Sequence, residues 1–140
     1  MYQKDYILRM AEMISELIAA ILGKMKLGDY QQASQMLGRI YYDALKEDAS
    51  YFKSIPEEEL THKLLQEHNY TNDHLGILAE LFNAEAELNM AEGKNTESIE
   101  YSRKSLILFE FIDTEQKTYS PERINKMEAI RKRIEALQIR

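Results

Sequence analysis

The chain has no cysteine, and only five glycines and two prolines occur among its 140 residues. The absence of thiols excludes disulfides, thiolate catalysis and zinc–thiolate sites. Glycine and proline are the residues that most often mark turns, so a chain with so few of them favours a small number of long helices. The length fits one domain, and we expect residues 1–140 to form a single helical domain.

The sequence also lacks an uninterrupted apolar run of membrane-spanning length. The most apolar stretch, residues 13–25, is broken by Glu16 and Lys24. A secretion signal requires a clean apolar core before a small-residue cleavage site, and a membrane span requires about 20 apolar residues. We therefore expect a soluble, cytoplasmic protein with no membrane partner.

Acidic and basic residues are unevenly distributed along the chain, whose formal net charge is −6. Residues 43–100 carry 14 Asp and Glu against 4 Lys and Arg, whereas residues 115–140 carry 7 Lys and Arg against 4 Asp and Glu. An acidic body repels the phosphate backbone that supplies most non-specific nucleic-acid affinity. We predict that the basic end pairs with the acidic middle, in the same molecule or a neighbouring one, and that nucleic acid is not the main ligand.

Apolar residues recur at spacings of three and four along most of the chain, which is the period of amphipathic helices. The predicted helices cover residues 3–26, 29–51, 56–66, 72–91 and 96–112, and a last helix begins at Pro121. The apolar stripe of the first helix is wider than a coiled-coil seam, which predicts that it packs on more than one neighbour. The last helix has a narrow apolar stripe and charged remaining faces, which predicts that it covers the end of a helical stack.

Four short motifs indicate where these helices begin and end. Gly28 can end the first helix in the left-handed conformation while Asp29 caps the second, and a weaker version of this turn begins at Gly93. Ser54-Ile55-Pro56-Glu57 predicts a capping box with proline in the first helical turn. Thr71 is the predicted cap of the fourth helix.

The two glycine turns resemble those of tetratricopeptide repeats, which are helix–turn–helix units of 34 residues. In the second hairpin the matching positions are Phe82, Ala86, Gly93, Ser98 and Ser105. In the first they are Leu17, Gly28, Tyr30, Ala33 and Ile40, with Ile21 replacing the small residue at mid-helix. The glycines lie 65 residues apart rather than 34, so a non-repeat segment separates the hairpins. The resemblance implies an all-α fold of tetratricopeptide-like stacked helical hairpins, with five to six helices and a C-terminal capping helix. It also implies a role in protein interaction in general terms.

The three histidines, His62, His68 and His74, lie in or beside one predicted loop. A metal site requires imidazole and carboxylate ligands that converge within about 2 Å of one ion. Residues six apart lie on opposite faces of a helix, so this spacing does not indicate a metal site. We predict no metal ion and no cofactor.

The segment from Glu67 to His74 is nevertheless the densest cluster of polar and aromatic residues. Loops held by rigid helices are where binding residues concentrate, and the candidate contacts are His68, Asn69, Tyr70, Asp73 and His74. The alternative is that these side chains cap a helix and order a long connection. Tyr41 and Tyr42 are candidate partner contacts because tyrosine suits interfaces, and core packing is their alternative.

These features favour a non-catalytic module that binds a protein or peptide, or that associates with itself through the wide stripe of the first helix. No nucleophile–base arrangement suggests an enzyme. The alternative function is a small-molecule or metal-binding protein, or an enzyme, that uses the His68–His74 loop. A third reading, nucleic-acid binding through Arg131, Lys132 and Arg133, predicts a steep salt dependence.

Overall fold

The structure, a computed structural model, describes the backbone of residues 2–117 and 119–139 and the side chains within these ranges from Tyr6 onward. These residues contain no strand, and they form an all-α fold as predicted. Their seven α-helices are α1 (Tyr2–Lys26), α2 (Tyr30–Leu45), α3 (Ala49–Ser54), α4 (Leu60–His62), α5 (Asn72–Ala91), α6 (Asn95–Gln116) and α7 (Pro121–Gln138). A 3-10 turn, Glu57–Glu59, precedes α4, and a π-helical turn, Lys63–Glu67, follows it.

Both glycine turns form as predicted. Gly28 and Gly93 have φ of 82° and 80°, the left-handed region that favours glycine. At each turn the N–H of the next residue donates to the carbonyl five residues earlier, at 2.9 and 2.8 Å, which is the Schellman arrangement. The Asp29 carboxylate then accepts from the N–H of Gln32 at 3.2 Å and caps α2.

The second predicted helix, residues 29–51, is wrong in its length. It ends at Leu45 because Lys46 adopts a left-handed φ of 61° and its N–H closes the helix on the Tyr42 carbonyl. A separate short helix, α3, then places Phe52 in the core. The prediction of five to six helices is therefore one or two too low.

The predicted capping box at Ser54 is also wrong. Ser54 is the last residue of α3, and its hydroxyl donates backward to the Tyr51 carbonyl at 2.7 Å instead of capping a following helix. After Pro56, residues 57–67 form a 3-10 turn, an α turn and a π turn in succession. They do not form the regular helix predicted for residues 56–66. Leu60 and Leu64 of this segment are fully buried, so the apolar residues at helical spacing still pack in the core.

Helix α5 lies at the centre and packs against α1, α2 and α6. Ten of its residues are buried, among them Leu75, Leu78 and Phe82. Small residues allow α6 to approach it closely, because the buried hydroxyls of Ser98 and Ser105 donate to α5 carbonyls at 2.7 Å. The apolar stripe of α1 divides between two neighbours, α2 and α5, as its width predicted.

Helix α7 packs on α6 and closes one end of the helical array. Met127, Ile130 and Leu137 of its predicted stripe are buried, and the Ser120 side chain caps it by accepting from the N–H of Arg123 at 3.2 Å. The prediction that the basic end pairs with the acidic middle is confirmed within one molecule. Lys126 pairs with Glu80, and Arg133 lies 3.8 Å from Glu87.

Candidate functional site

A groove of about 640 Å³ lies between the start of α1, the end of α2 and the connection that precedes α5. This volume falls in the range of small-molecule and peptide side-chain sites. The predicted residues His68, Asn69, Tyr70 and His74 line it. The remaining lining residues come from distant parts of the chain and are Tyr6, Ile7, Ala44, Leu45 and Lys46.

Three aromatic rings stack along one wall of the groove. Tyr70 lies between His68, at a centroid distance of 4.9 Å and 15° between planes, and His74, at 4.5 Å and 4°. The Tyr70 hydroxyl donates to the Leu45 carbonyl at 2.6 Å, which ties the connection to the end of α2. Burial is the main reason that the pKa of Tyr70 rises to about 12, so the phenol keeps its proton at neutral pH. The three stacked rings and this hydrogen bond together form one wall of the groove.

His74 also orders the start of α5. Its Nδ1 accepts from the N–H of Thr71 at 3.0 Å, and the Thr71 hydroxyl lies 2.9 Å from the same nitrogen. This is a capping box with histidine in the third position. Nδ1 must be unprotonated to accept, and burial lowers the pKa of His74, against a smaller opposing effect of Asp73. The predicted cap at Thr71 is confirmed, and the capping interpretation therefore accounts for Thr71 and His74.

His68 and Asn69 face the groove from the connection itself. His68 Nε2 lies 3.4 Å from a Glu47 carboxylate oxygen, and the His68 ring stands edge-on to Tyr51 at 5.0 Å. Asn69 adopts φ of 58°, which asparagine tolerates better than most residues. Within the described part of the chain, no three His, Asp or Glu side chains are grouped as a metal ion would require.

The groove lining contains Lys46, and a carboxylate, Glu47, lies beside it. Lys46 Nζ lies 4.8 Å from the centre of the Tyr6 ring, and the Tyr6 hydroxyl donates to the Asp43 carbonyl. Of the lining residues that the structure describes, Lys46 and two histidines carry basic groups and none carries a carboxylate. The Glu47 carboxylate lies against His68, and burial lowers the pKa of His74, so Lys46 is the lining group that would attract an anion. Neither Tyr6 nor Lys46 has a sequence signal that links it to the His68–His74 segment.

Three of the predicted contact residues lie outside the groove. Asp73 lines a separate, smaller cavity of about 220 Å³. Tyr42 is 57% exposed on α2 and is available to a partner. Tyr41 is fully buried between Phe52 and Phe82, so its prediction as a partner contact is wrong and its core alternative is correct.

A buried ionic cluster beside Tyr41 was not predicted. Lys53 of α3 pairs with Glu85 of α5 at 3.1 Å, and Lys104 of α6 donates to the Lys53 carbonyl at 3.0 Å. Burial raises the pKa of Glu85, and the Lys53 ammonium partly offsets this effect. The cluster fastens α3 to α5 and α6, which indicates a structural role. Its parts are 32 and 51 residues apart in sequence, so local patterns do not reveal it.

The outward side of α1 forms a second candidate surface. Ile7, Ile14 and Ile21 face the core, whereas Met13 is 48% exposed and its neighbours Met10 and Leu17 are only partly buried. We call the exposed side of α1 its outer face; it comprises Leu8, Arg9, Glu12, Met13, Ser15, Glu16, Ala19, Ala20 and Gly23. Helix α7 has no exposed large apolar side chain within residues 121–138, and half of its exposed residues are charged: Glu122, Glu128, Arg131, Lys132 and Glu135.

Comparison with known proteins gives no match to a family model, to a curated protein or to a solved structure. The resemblance to tetratricopeptide repeats therefore stays a prediction, as does the interaction role that it implies. None of the helices in the described ranges is long and apolar enough to span a bilayer.

Proposed function

We propose that this protein is a non-catalytic interaction module that associates with itself through the outer face of α1. The observation that carries the proposal is that Leu8 and Met13 are 40% and 48% exposed on a helix whose opposite side forms part of the core. In stacked helical arrays the terminal helices need polar outer faces to stay soluble alone. Both α1 and α7 expose polar residues, but α1 also exposes Leu8 and Met13, whereas no large apolar side chain of residues 121–138 is exposed, so a partner that covers α1 would remove apolar surface from water.

Measurement of molar mass against concentration tests this proposal. We expect the mass to rise from one copy towards two between low micromolar and several hundred micromolar protein. Met13→Glu places a carboxylate in the contact and should weaken association at least tenfold, because burying an unpaired charge is costly. Met90→Glu is the matched control, since Met90 is also a helical methionine and is 41% exposed on α5.

Two outcomes contradict the proposal. One is a wild-type mass that stays at a single copy over the whole concentration range. The other is equal weakening by Met13→Glu and Met90→Glu, which would indicate non-specific association. Thermal melts followed by circular dichroism, at concentrations where all variants are monomeric, check that each variant keeps its helical fold.

The groove supports a second candidate function, the binding of a flat apolar group that carries a carboxylate. The specific observation is its lining, which combines apolar and aromatic walls with Lys46 and has no carboxylate among the described lining residues. The chemistry fits both a small aromatic acid and a peptide that ends in an aromatic residue. Aromatic residues in the wall can stack on the flat group while the ammonium attracts the acid.

Titration of labelled protein with aromatic carboxylic acids and their matched amides, followed by NMR, tests this second function. We expect the acids to shift the amide signals of Lys46, Asn69 and Tyr70, and the amides to shift them less. Lys46→Asn removes the ammonium and keeps the left-handed helix end, whereas Lys117→Asn does the same at the equivalent end of α6 and serves as control. Equal binding by Lys46→Asn and Lys117→Asn would refute the role of the ammonium, and an absence of shifts would refute the site.

A further inference from the structure

The smaller cavity, which Asp73 lines, lies where α1, the start of α5, the end of α6 and the start of α7 meet. Its volume is about 220 Å³, and it shares no lining residue with the groove. Its buried lining residues are all apolar: Ile14, Ile77, Phe109 and Ile112. Its polar lining residues are each at least partly exposed. The cavity therefore has an apolar interior and a polar mouth.

Gly76 forms the part of the cavity wall between the two carboxylates of α5 that line it. Asp73, Gly76 and Glu80 are three and four residues apart, so they lie within an arc of about 60° on one face of the helix. The backbone of Gly76 is helical, with no positive φ. A Cβ added there would lie 3.9 Å from Cδ1 of Ile112, which is an ordinary contact distance. Alanine would therefore fit, and what the missing side chain provides is the open space in front of Ile112.

The charges around the cavity leave one carboxylate without an ion pair. Two guanidinium nitrogens of Arg123 lie 2.8 and 2.9 Å from one carboxylate oxygen of Asp113. Lys126 pairs with Glu80. Asp73 takes part in none of the ion pairs between described residues. Three carboxylates thus face two cations, and the N-terminus of α5, with about half a positive charge, offsets only part of the excess.

We propose that this cavity binds a small primary amine with an apolar ring or branched chain, whose ammonium pairs with Asp73. A dry apolar cavity of about 150 Å³ is sufficient for benzene, so this one has room for a six-carbon ring and a short arm. The ring would contact Ile77 and Phe109, and the ammonium would form a charge-assisted hydrogen bond at the mouth. The site is separate from both surfaces of the proposed function, and it does not depend on self-association.

Titration of labelled protein with benzylamine, followed by NMR, tests the proposal. The uncharged comparison ligand is benzyl alcohol, which has the same ring and arm. A ligand of about eight heavy atoms is expected to bind in the millimolar range. Benzylamine should shift the amide signals of Gly76, Ile77 and Ile112 and leave those of Lys46 and Asn69 in the groove unchanged. Benzyl alcohol should bind about fivefold more weakly or less tightly still, because it lacks the charge.

Two sets of variants separate the role of the charge from that of the space. Asp73→Asn should weaken benzylamine about tenfold and leave benzyl alcohol unchanged. Glu122→Gln is its control, since Glu122 is the acidic residue in the first turn of α7 as Asp73 is in that of α5. Gly76→Leu should abolish the binding of both ligands because its side chain occupies the cavity. Gly76→Ala should weaken both about threefold, whereas Gly38→Ala, at a helical glycine that does not line the cavity, should change neither.

Three results would overturn the proposal. One is an absence of shifts at Gly76 and Ile77 up to about 20 mM benzylamine, well above the expected dissociation constant. Another is equal binding of benzylamine and benzyl alcohol, and the third is an equal effect of Asp73→Asn and Glu122→Gln. Thermal melts check that each variant folds, and Gly76→Ala decides the role of the space if Gly76→Leu does not. Each of these results leaves self-association through α1 untouched.

Discussion

The first and last helices of the chain differ in how much apolar surface they leave in contact with water. Helix α7 buries Met127, Ile130 and Leu137, and no large apolar side chain of residues 121–138 is exposed. Helix α1 buries one isoleucine in every two turns, yet it leaves Leu8 and Met13 40% and 48% exposed. Of the two helices, α1 is therefore the one to which we assign a partner.

The difference also concerns how each end is held. Helix α7 is joined to α5 by ion pairs and hydrogen bonds, in which Arg133 reaches Asn83, Glu87 and the Ser102 hydroxyl of α6. Helix α1 meets the rest of the fold mainly through apolar packing, and its Tyr6 hydroxyl donates to the Asp43 carbonyl. We therefore expect salt to act mainly on the packing of α7, and acid to act mainly on the start of α5, where His74 is the capping residue.

The largest expected effect compares apolar side chains at the two ends. Ile130 is fully buried, and Ile130→Ala should lower the free energy of unfolding by about 2–5 kcal/mol, because it leaves a cavity under α7. Met13→Ala should change it by about 0.5 kcal/mol or less in the dilute monomer, since Met13 is half exposed. Urea denaturation of both variants gives the two values. Equal losses in the free energy of unfolding would mean that Met13 is packed as tightly as Ile130.

A smaller effect is expected for the polar anchor of α7. The Arg133 side chain is 10% exposed and binds Ser102, Asn83 and Glu87, so Arg133→Met should cost about 1–3 kcal/mol. Arg131 pairs with Glu110 at 3.0 Å, but it is 49% exposed, and Arg131→Met should cost about 0.5 kcal/mol or less. Urea denaturation at low and high salt measures both. A larger loss for Arg131→Met would contradict this account of how α7 is held.

The smallest effect is the response of the α5 start to acid. The pKa of His74 is lowered in the fold, so below the ordinary histidine pKa of about 6.5 the unfolded chain binds a proton that the folded chain does not. Stability should therefore fall as pH drops below that value, by about 1 kcal/mol or less for one cap. The raised pKa of Glu85 acts in the opposite direction, so only a comparison of variants isolates the histidine.

His74→Gln provides that comparison. Glutamine can accept from the N–H of Thr71 without titrating, so thermal melts between pH 7.5 and pH 5.5, a window chosen around about 6.5, should show a smaller acid loss than wild type. His62→Gln is the control because His62 is exposed and lies outside the cap. An acid loss in His74→Gln equal to that of wild type would show that the capping histidine is not the sensitive group.

Local patterns predicted the parts of the fold that depend on neighbouring residues. Gly28 and Gly93 mark their turns because only glycine adopts the left-handed conformation at little cost, and the stripe of α7 follows directly from its period. Lys46 carries no such signal, because lysine in that conformation is held by its surroundings rather than by its own preference. The end of α2 was therefore missed.

The candidate sites also contain some residues that local sequence patterns predict and others that only the packing of distant helices brings together. The stacked segment from His68 to His74 could be located because its residues are consecutive. The opposite wall, with Tyr6 and Lys46, depends on how α1 and α2 pack and could not be found from spacing. Tyr41 and Tyr42 are adjacent in sequence, yet one is buried and the other exposed, since neighbouring helical residues point about 100° apart.

NMR of methionine methyl groups over a dilution series is the most direct test of the central claim. It shows whether a second copy of the chain covers the exposed side of α1 and leaves α7 uncovered. Met10 and Met13 report on α1, Met127 on α7 and Met90 on the exposed side of α5. We predict that the Met13 and Met10 signals shift with concentration while those of Met127 and Met90 stay constant. Constant Met13 and Met10 signals up to the highest concentration, or shifts confined to Met90 or Met127, would contradict this account.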